Sequence, residues 1–422
     1  MIKTMISKSV IGKIKGERLF CGLDIGSRTI KTCLVKYIEE HKPELLGVYE
    51  AKTSGFKDSS VSDLAELSEC IHATIEGLTQ KTGVKLKEVQ LGIGGELIVK
   101  RFTSTVVPLL EKGSKVIASN DLKKVQTQAR LLGMNMEEEI IHDIPQYYRV
   151  DDINTAINPL GLLGRKLEIK SLLVLANMTL IRNITKAVNQ AGYDVASLFF
   201  TSFVSSQVLL DEKLRREGVA LIDIGSRVTD ILIFKDGLLK YLDNIAFGGD
   251  DFTRSIATQL NLTFDLAEDI KKSYAVALSS DIKEDEEILV KKESEYVPIK
   301  REVIFHCIDP VINQLVEVIL NSLKASNLSD QLNTGIVMVG GGSLLPGLIE
   351  RIEQSTNLLV RMGKLNCIAK NLNNTAMFSS VIGLAQGGFD KLAVFSMNSN
   401  GQEKNFVSRI CNHIKEVYQE YF

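Results

Sequence analysis

Short apolar runs broken by an acidic, glycine-containing turn set the rhythm near the start of the chain. "RLFCGLDI" rises into a turn, and "TIKTCLVKYI" and "ELLGVYEA" follow it. The same order returns about 200 residues later, a spacing that separates two copies of one unit. There "GVALIDI" rises into the turn, and "VTDILIF" and "LLKYLDNIAF" follow. Alternating or continuous apolar residues with Gly and Asp at the corners predict two matching β-meanders. Both turns spell DIGSR, at Asp24–Arg28 and Asp223–Arg227. A further strand pattern, "GIVMV", runs into Gly340, Gly341, Gly342 and Ser343 and then into a helix with Pro346 in its first turn.

The turn residues suit an anion. Gly26 and Gly225 let the backbone bend and approach a ligand, and Ser27 and Ser226 add hydroxyls beside exposed N–H groups. An aspartate just before the glycine, Asp24 or Asp223, repels phosphate unless a cation lies between, so its natural task is to hold hydrated Mg²⁺. Seven residues on, the copies diverge to Lys31, which can meet a phosphate, and Asp230, which cannot. Two ordinary hairpins with acidic turns are the plain alternative, and repetition of the whole pattern argues against it. The glycine run at Gly340 can pass its backbone against a flat ring or an α-phosphate at a helix N-terminus.

The chain ends differently. After the polar stretch "NSNGQEKN", the segment Asn405–Phe422 places Phe406, Val407, Ile410, Cys411, Ile414, Val417, Tyr418, Tyr421 and Phe422 on one helical arc of roughly 160°. Arg409, His413, Lys415, Glu416 and Glu420 lie opposite. Such a face docks on the protein's own core or lies in a lipid interface. Arg409 and Lys415 are offset by Glu416 and Glu420, so lipid affinity would come from apolar burial and from many tails on one polymer.

Length and composition narrow the class. A chain of 422 residues exceeds one compact core, and 45% hydrophobic with 24% charged residues fits a folded protein. A net charge of -2 speaks against nucleic acid as partner. Six scattered cysteines without a C-x-x-C pair predict neither a disulfide frame nor a zinc site, but a reducing cytoplasm. "SLLVLANMTLI" is too short to span a bilayer, and the lysines of residues 1–17 interrupt any signal-peptide core, leaving a frayed basic tail.

Two phosphate hairpins and a late glycine turn resemble the actin/Hsp70/sugar-kinase ATPases. "IIHDIPQYYRVDD" (Ile140–Asp152), "NPLGLLGRKLEIK" (Asn158–Lys170), "GGDDFTRSIATQL" (Gly248–Leu260) and "AEDIKKSYAVAL" (Ala267–Leu278) narrow this to a resemblance to FtsA, the bacterial actin-like cell-division family. The resemblance runs in order from about Leu19 to Gly387 and implies an α/β, duplicated actin-like ATPase fold with two halves around a nucleotide cleft. Subdomain 1A would occupy 18–96 and 179–216, an inserted 1C 97–178, 2A 217–246 and 333–387 (returning to 1A), and 2B 247–332. A linker, 388–404, and an amphipathic membrane-targeting helix, 405–422, would follow.

By the same resemblance, ATP would sit in the cleft with Mg²⁺ on Asp24 and Asp223. Ser27, Lys31, Ser226 and Thr229 would contact phosphates, Glu268 and Lys271 the ribose, and Gly340–Ser343 the adenine and α-phosphate. Glu268 and Lys271, three apart, also suit an exposed helix face. The family usually has a third glycine where this chain has Arg227, which either clamps the γ-phosphate or crowds the nucleotide. The protein is then at most a slow ATPase, with Asp223 on the metal and Gln207, where actins place a glutamine, orienting water. The resemblance further implies head-to-tail polymers on the inner face of the cell membrane at the division site. It also implies contacts with other division proteins and with the FtsZ C-terminal peptide in 2B. Lys300 and Arg301 would meet that acidic peptide, while Val311 stands where the family usually has arginine. The segment "DIKEDEEILVKKESEY" reads as a solvated acidic loop. A small-molecule kinase and a pilus-assembly actin homologue are the rival readings on the same core.

Overall fold

The computed structural model describes residues 17–38, 43–57, 59–96, 98–110, 113–283, 286–292, 295–365 and 375–399. The helix expected at 405–422, and all the membrane-facing residues placed on it, lie outside them.

Among the described residues, two five-stranded sheets repeat one topology. In the first, Glu17–Ile25, Thr29–Ile38 and Glu44–Lys52 form an antiparallel meander, and Glu88–Ile93 and Asp194–Phe200 extend it in parallel. In the second, Val219–Ile224, Thr229–Lys235 and Leu238–Ile245 form the meander, and Ile336–Val339 and Val360–Met362 extend it. The register of the two hairpins is the same: Asp24 faces Lys31, and Asp223 faces Asp230. Strands covered on both faces must be apolar nearly throughout, and Val219–Ile224 is buried everywhere except at Asp223.

Helices close these faces by spacing. In Leu64–Thr82, capped by Asp63, the fully buried Leu67, Ile71, Ile75 and Leu78 recur every three or four residues and join the first core. Arg301–Ala325 is long and apolar enough to cross a membrane by length and composition. Its Ile304, Ile308, Ile312, Leu315 and Ile319 are instead fully buried in the second core, which makes it a core helix. Burial of each such side chain contributes about 1.5–3 kcal/mol.

Between the strands of the first half sits an inserted antiparallel sheet in the order Asn154–Ala156, Glu138–Val150, Lys166–Asn177, Ile98–Pro108. The helix Ser119–Gly133 covers one face, and Val107, Val125, Tyr148 and Ile169 fill a separate small core there.

Two expectations change. The acidic stretch after Asp281 contains a β-hairpin, Glu287–Lys292 paired with Glu295–Lys300, because Ile288, Val290 and Ile299 alternate inward beneath the charges. The helix Ser379–Ser399 runs past Gly387, through most of the stretch read as a linker. Its Val381, Ile382 and Ala385 pack on Phe20, Cys33 and Val35 of the first meander. Glycine at position 22 permits this approach: a Cβ there would lie 2.1 Å from the Val381 carbonyl oxygen.

Candidate functional site

Both DIGSR turns open into one cleft of about 480 Å³ between the halves. Each closes on itself, with Gly26 N–H donating to the Thr29 carbonyl (3.1 Å) and Gly225 N–H to that of Val228 (2.9 Å). Gly26, Ser27 and Lys31 line the cleft from the first half, and Gly225, Ser226 and Arg227 from the second. Gly340, Gly341 and Gly342 form a third wall. Gly340 has φ 84°, and a Cβ there would lie 2.5 Å from Asp223 Oδ1, so only glycine fits.

The acidic residues are arranged across strands. Asp223, Asp230 and Asn244 lie in one row over three neighbouring strands, and Asn244 donates to Asp230. Above the row, Ser202 of the helix Thr201–Leu209 bonds to Asp223 (3.1 Å) and to Asp230. One hydroxyl proton cannot serve two carboxylates, so this arrangement suits a proton kept on Asp230. Burial, and then the neighbouring Asp223, push the Asp230 carboxyl up to about 7. Burial raises Asp223 to about 6, with the charge of Asp24 adding to it and the Ser202 bond opposing. Asp24 accepts from Ser380 (2.6 Å), and Lys31 Nζ donates to the Met377 carbonyl (3.0 Å), so the start of the last helix orders the first hairpin.

Farther along, Lys271 pairs with Glu268 (2.7 Å) and donates to the Gly249 carbonyl and to Thr253, both at 2.9 Å. Burial alone would raise the Glu268 carboxyl, but the Lys271 and Thr253 hydrogen bonds bring it down to about 2. The pair lines the cleft and is thus not the exposed helix face that spacing alone suggested.

Three expected residues are not brought to the cleft. Gln207 is not among its lining residues; it accepts from Arg215 (2.5 Å), which corrects the expectation that it orients water. Thr229 is fully buried and gives its hydroxyl to the Phe247 carbonyl (2.8 Å). Ser343 is buried and gives its own to the Gly340 carbonyl (2.6 Å), so both shape turns instead of offering donors to a phosphate. At the other expected site, Arg301 is spent on Glu286 (2.7 Å) and the Tyr274 carbonyl (3.0 Å), which fastens the 287–300 hairpin to its helix.

The structure adds residues that sequence reasoning missed. Arg28, the last letter of the first DIGSR, reaches across the cleft to Asp250 (3.0 Å). Ser202, Asn244 and Ser380 complete the acidic network. No local signal marks these, because each partner comes from a distant segment. Among the described residues, no three His, Cys, Asp or Glu side chains gather as a ready-made metal centre. Two carboxylates facing one cleft do suit Mg²⁺, which takes one or two carboxylates and completes its shell with phosphate and water.

A duplicated meander with parallel extensions, closed around a cleft by two acidic glycine turns, defines the actin-like ATPase fold, here with an inserted subdomain. Solved structures agree. The PilM–PilN type IV pilus biogenesis complex matches with a TM-score of 0.65 at 17% identity, covering 87% of this chain and 98% of the other. MreB5 of Spiroplasma citri bound to ADP matches with a TM-score of 0.53 at 12% identity, over 91% and 99%. Family models then match by sequence: "Cell division protein FtsA" over residues 220–383 and "SHS2 domain inserted in FTSA" over residues 99–175. Cell division protein FtsA of Streptococcus pneumoniae is 30% identical over 88% of this chain and 80% of its own length. That of Buchnera aphidicola is 29% identical over 96% and 100%, and that of Escherichia coli 26% over 83% and 85%. The chain belongs to the FtsA family of cell division proteins.

Proposed function

We propose that this protein binds ATP with Mg²⁺ in the cleft, polymerises head to tail on the inner face of the cytoplasmic membrane, and tethers FtsZ filaments to it at the division site. One observation carries the nucleotide reading: two hairpins of identical register bring Asp24 and Asp223 from opposite halves to a single cleft. The bound ADP of MreB5 on the same fold supports it.

The residues take these roles. Asp24 and Asp223 would hold magnesium, which supplies positive charge to the phosphates. The N–H groups and hydroxyls of Ser27 and Ser226 would bind phosphate oxygens, Gly26 and Gly225 let the turns approach them, and Lys31 and Arg227 add cationic charge. Glu268 and Lys271 receive the ribose, and Gly340–Gly342 border the base and α-phosphate. With Gln207 engaged by Arg215, hydrolysis is slow and nucleotide serves mainly to order the two halves. Family membership supports the remaining steps: an amphipathic helix at 405–422 for the membrane, subdomain 2B for the FtsZ peptide, and a heterologous contact that extends without closing. In 2B, Lys300 and the exposed Leu289 and Tyr296 of the hairpin carry the peptide reading. A kinase would need a further carboxylate base, and Asp230 is bonded inside the acidic row.

The test is sedimentation with anionic liposomes, with and without ATP, comparing the full chain with one ending at Lys404 and then adding FtsZ filaments. Pelleting of the full chain alone, with FtsZ following it, is the expected result. Equal behaviour of both chains would overturn the membrane reading, and FtsZ left in the supernatant would overturn tethering.

A further inference from the structure

The inserted sheet grips both halves of the chain beside the acidic row of the cleft. On the first half, His142 of the strand Glu138–Val150 accepts the backbone N–H of Phe200 through Nε2 at 2.9 Å, and its ring centroid lies 4.6 Å from that of Phe203. Phe200 is the N-cap of the helix Thr201–Leu209, and two residues on is Ser202, which bonds to Asp223 and Asp230. An Nε2 that accepts must be unprotonated, so Nδ1 carries the ring hydrogen. Burial favours that neutral ring, taking the His142 pKa down to about 3.

On the second half, Lys100 of the strand Ile98–Pro108 donates to the Leu242 carbonyl and to Asp243 (2.9 Å), and Gln146 donates to the Leu239 carbonyl (3.0 Å). All three acceptors lie on the strand Leu238–Ile245. Its next residue, Asn244, points to the opposite face by the period of a strand and donates to Asp230. Both residues that bond to Asp230, Ser202 and Asn244, therefore sit on elements anchored by the insert, one from each half. Side-chain networks of this contiguous kind carry coupling between sites.

We propose that the inserted subdomain sets the cleft's affinity for nucleotide through these two grips, with His142 and Lys100 as positioning residues that hold Ser202 and Asn244 against Asp230. The proposal rests on the cleft being the nucleotide site. It makes the insert a control surface: whatever docks on it and shifts either strand changes nucleotide affinity, and nucleotide changes that docking by the same factor.

The test titrates a fluorescent ATP analogue with Mg²⁺ into the full chain and four variants. His142→Leu and Lys100→Met each weaken binding about fivefold or more, the lower end of ordinary coupling. His142→Gln, whose side-chain carbonyl can accept the same N–H, restores it. Val125→Ala, in the insert's own core away from both grips, lowers stability and leaves affinity unchanged. Hydrogen exchange gives the reciprocal readout: nucleotide slows exchange in the strands Ile98–Pro108 and Glu138–Val150 of the parent and not of His142→Leu. Unchanged affinity in both grip variants overturns the proposal, as does equal weakening by Val125→Ala, which would mean general softening. Absence of binding by the parent chain overturns the nucleotide reading, and this proposal with it.

Discussion

Arg28 Nε donates to Asp250 Oδ1 at 3.0 Å across the cleft, and its guanidinium carbon lies 4.0 Å from the ring centroid of Phe264. One partner belongs to the first DIGSR turn, the other to the start of the helix Gly249–Leu260 in the second half. The Asp250 N–H in turn donates to the Ser226 carbonyl (2.7 Å) of the second turn. The contact is thus a strap between the halves that passes through both turns. Arg28→Ala should destabilise the protein by about 1–2 kcal/mol, a partly buried pair discounted for the exposure of the arginine. It should also speed nucleotide release. Urea unfolding and stopped-flow displacement check the two effects, and unchanged release would deny the strap a functional role.

The acidic row makes stability depend on pH. The native carboxyls of Asp223 and Asp230 titrate near 6 and 7, above their ordinary value of 3.8, so the native state holds protons that the unfolded chain releases. Their contribution is full below about pH 4 and is lost as pH rises through 6 and 7. Asp230→Asn should therefore stabilise the nucleotide-free protein by about 1–3 kcal/mol at pH 8, and by progressively less towards pH 4. Thermal melts at pH 8, 6 and 4.5 check the trend. A constant difference across that range would refute it.

Neighbouring glycines in the third turn should behave differently. Gly340→Ala forces a Cβ to within 2.4 Å of the Ile224 carbonyl oxygen in a left-handed backbone, at a cost of about 2–4 kcal/mol. A Cβ at Gly341 meets nothing within 4 Å. Gly341→Ala should keep its stability and lose nucleotide affinity, as calorimetric titration beside a melting curve would reveal. If its affinity is unchanged, the third turn does not approach the ligand.

Lys271 pairs with the Glu268 carboxylate at 2.7 Å in the lining of the cleft, where the proposed function puts the ribose. Lys271→Met should weaken ATP and ADP equally, by roughly tenfold, or about 1.4 kcal/mol, because the pair is assigned to the part both nucleotides share. Selective loss of ATP would move the lysine to the phosphates.

In the helix expected for the segment 405–422, Val417 would belong to the apolar arc. Val417→Glu should release the protein from anionic liposomes without changing nucleotide binding. Flotation of the variant to the same extent as the parent would refute the anchor.

Much of this was legible in the sequence where the determinants are local. The repeated DIGSR, its flanking strands and the later glycine run lie in the turns and registers that their spacing predicts, since a hairpin is set by its own residues. The hairpin at 287–300 was missed because its acidic surroundings hide a short apolar alternation. Gln207 was expected to orient water, and only packing showed Arg215 donating to its amide oxygen. Thr229 and Ser343 sit beside the cleft in sequence, yet their hydroxyls find nearer acceptors.

By itself the sequence determined the strands of the two meanders, the two acidic turns and the family, because backbone geometry, side-chain period and turn chemistry are properties of neighbouring residues. Only the tertiary structure decided which charges meet. Arg28 finds Asp250 from 222 positions away, and Lys100 finds Asp243 from 143. Ser202 and Asn244, from different halves, converge on one buried acid. Buried polar groups must be satisfied by whatever partner the fold delivers, and separation along the chain carries no record of that partner.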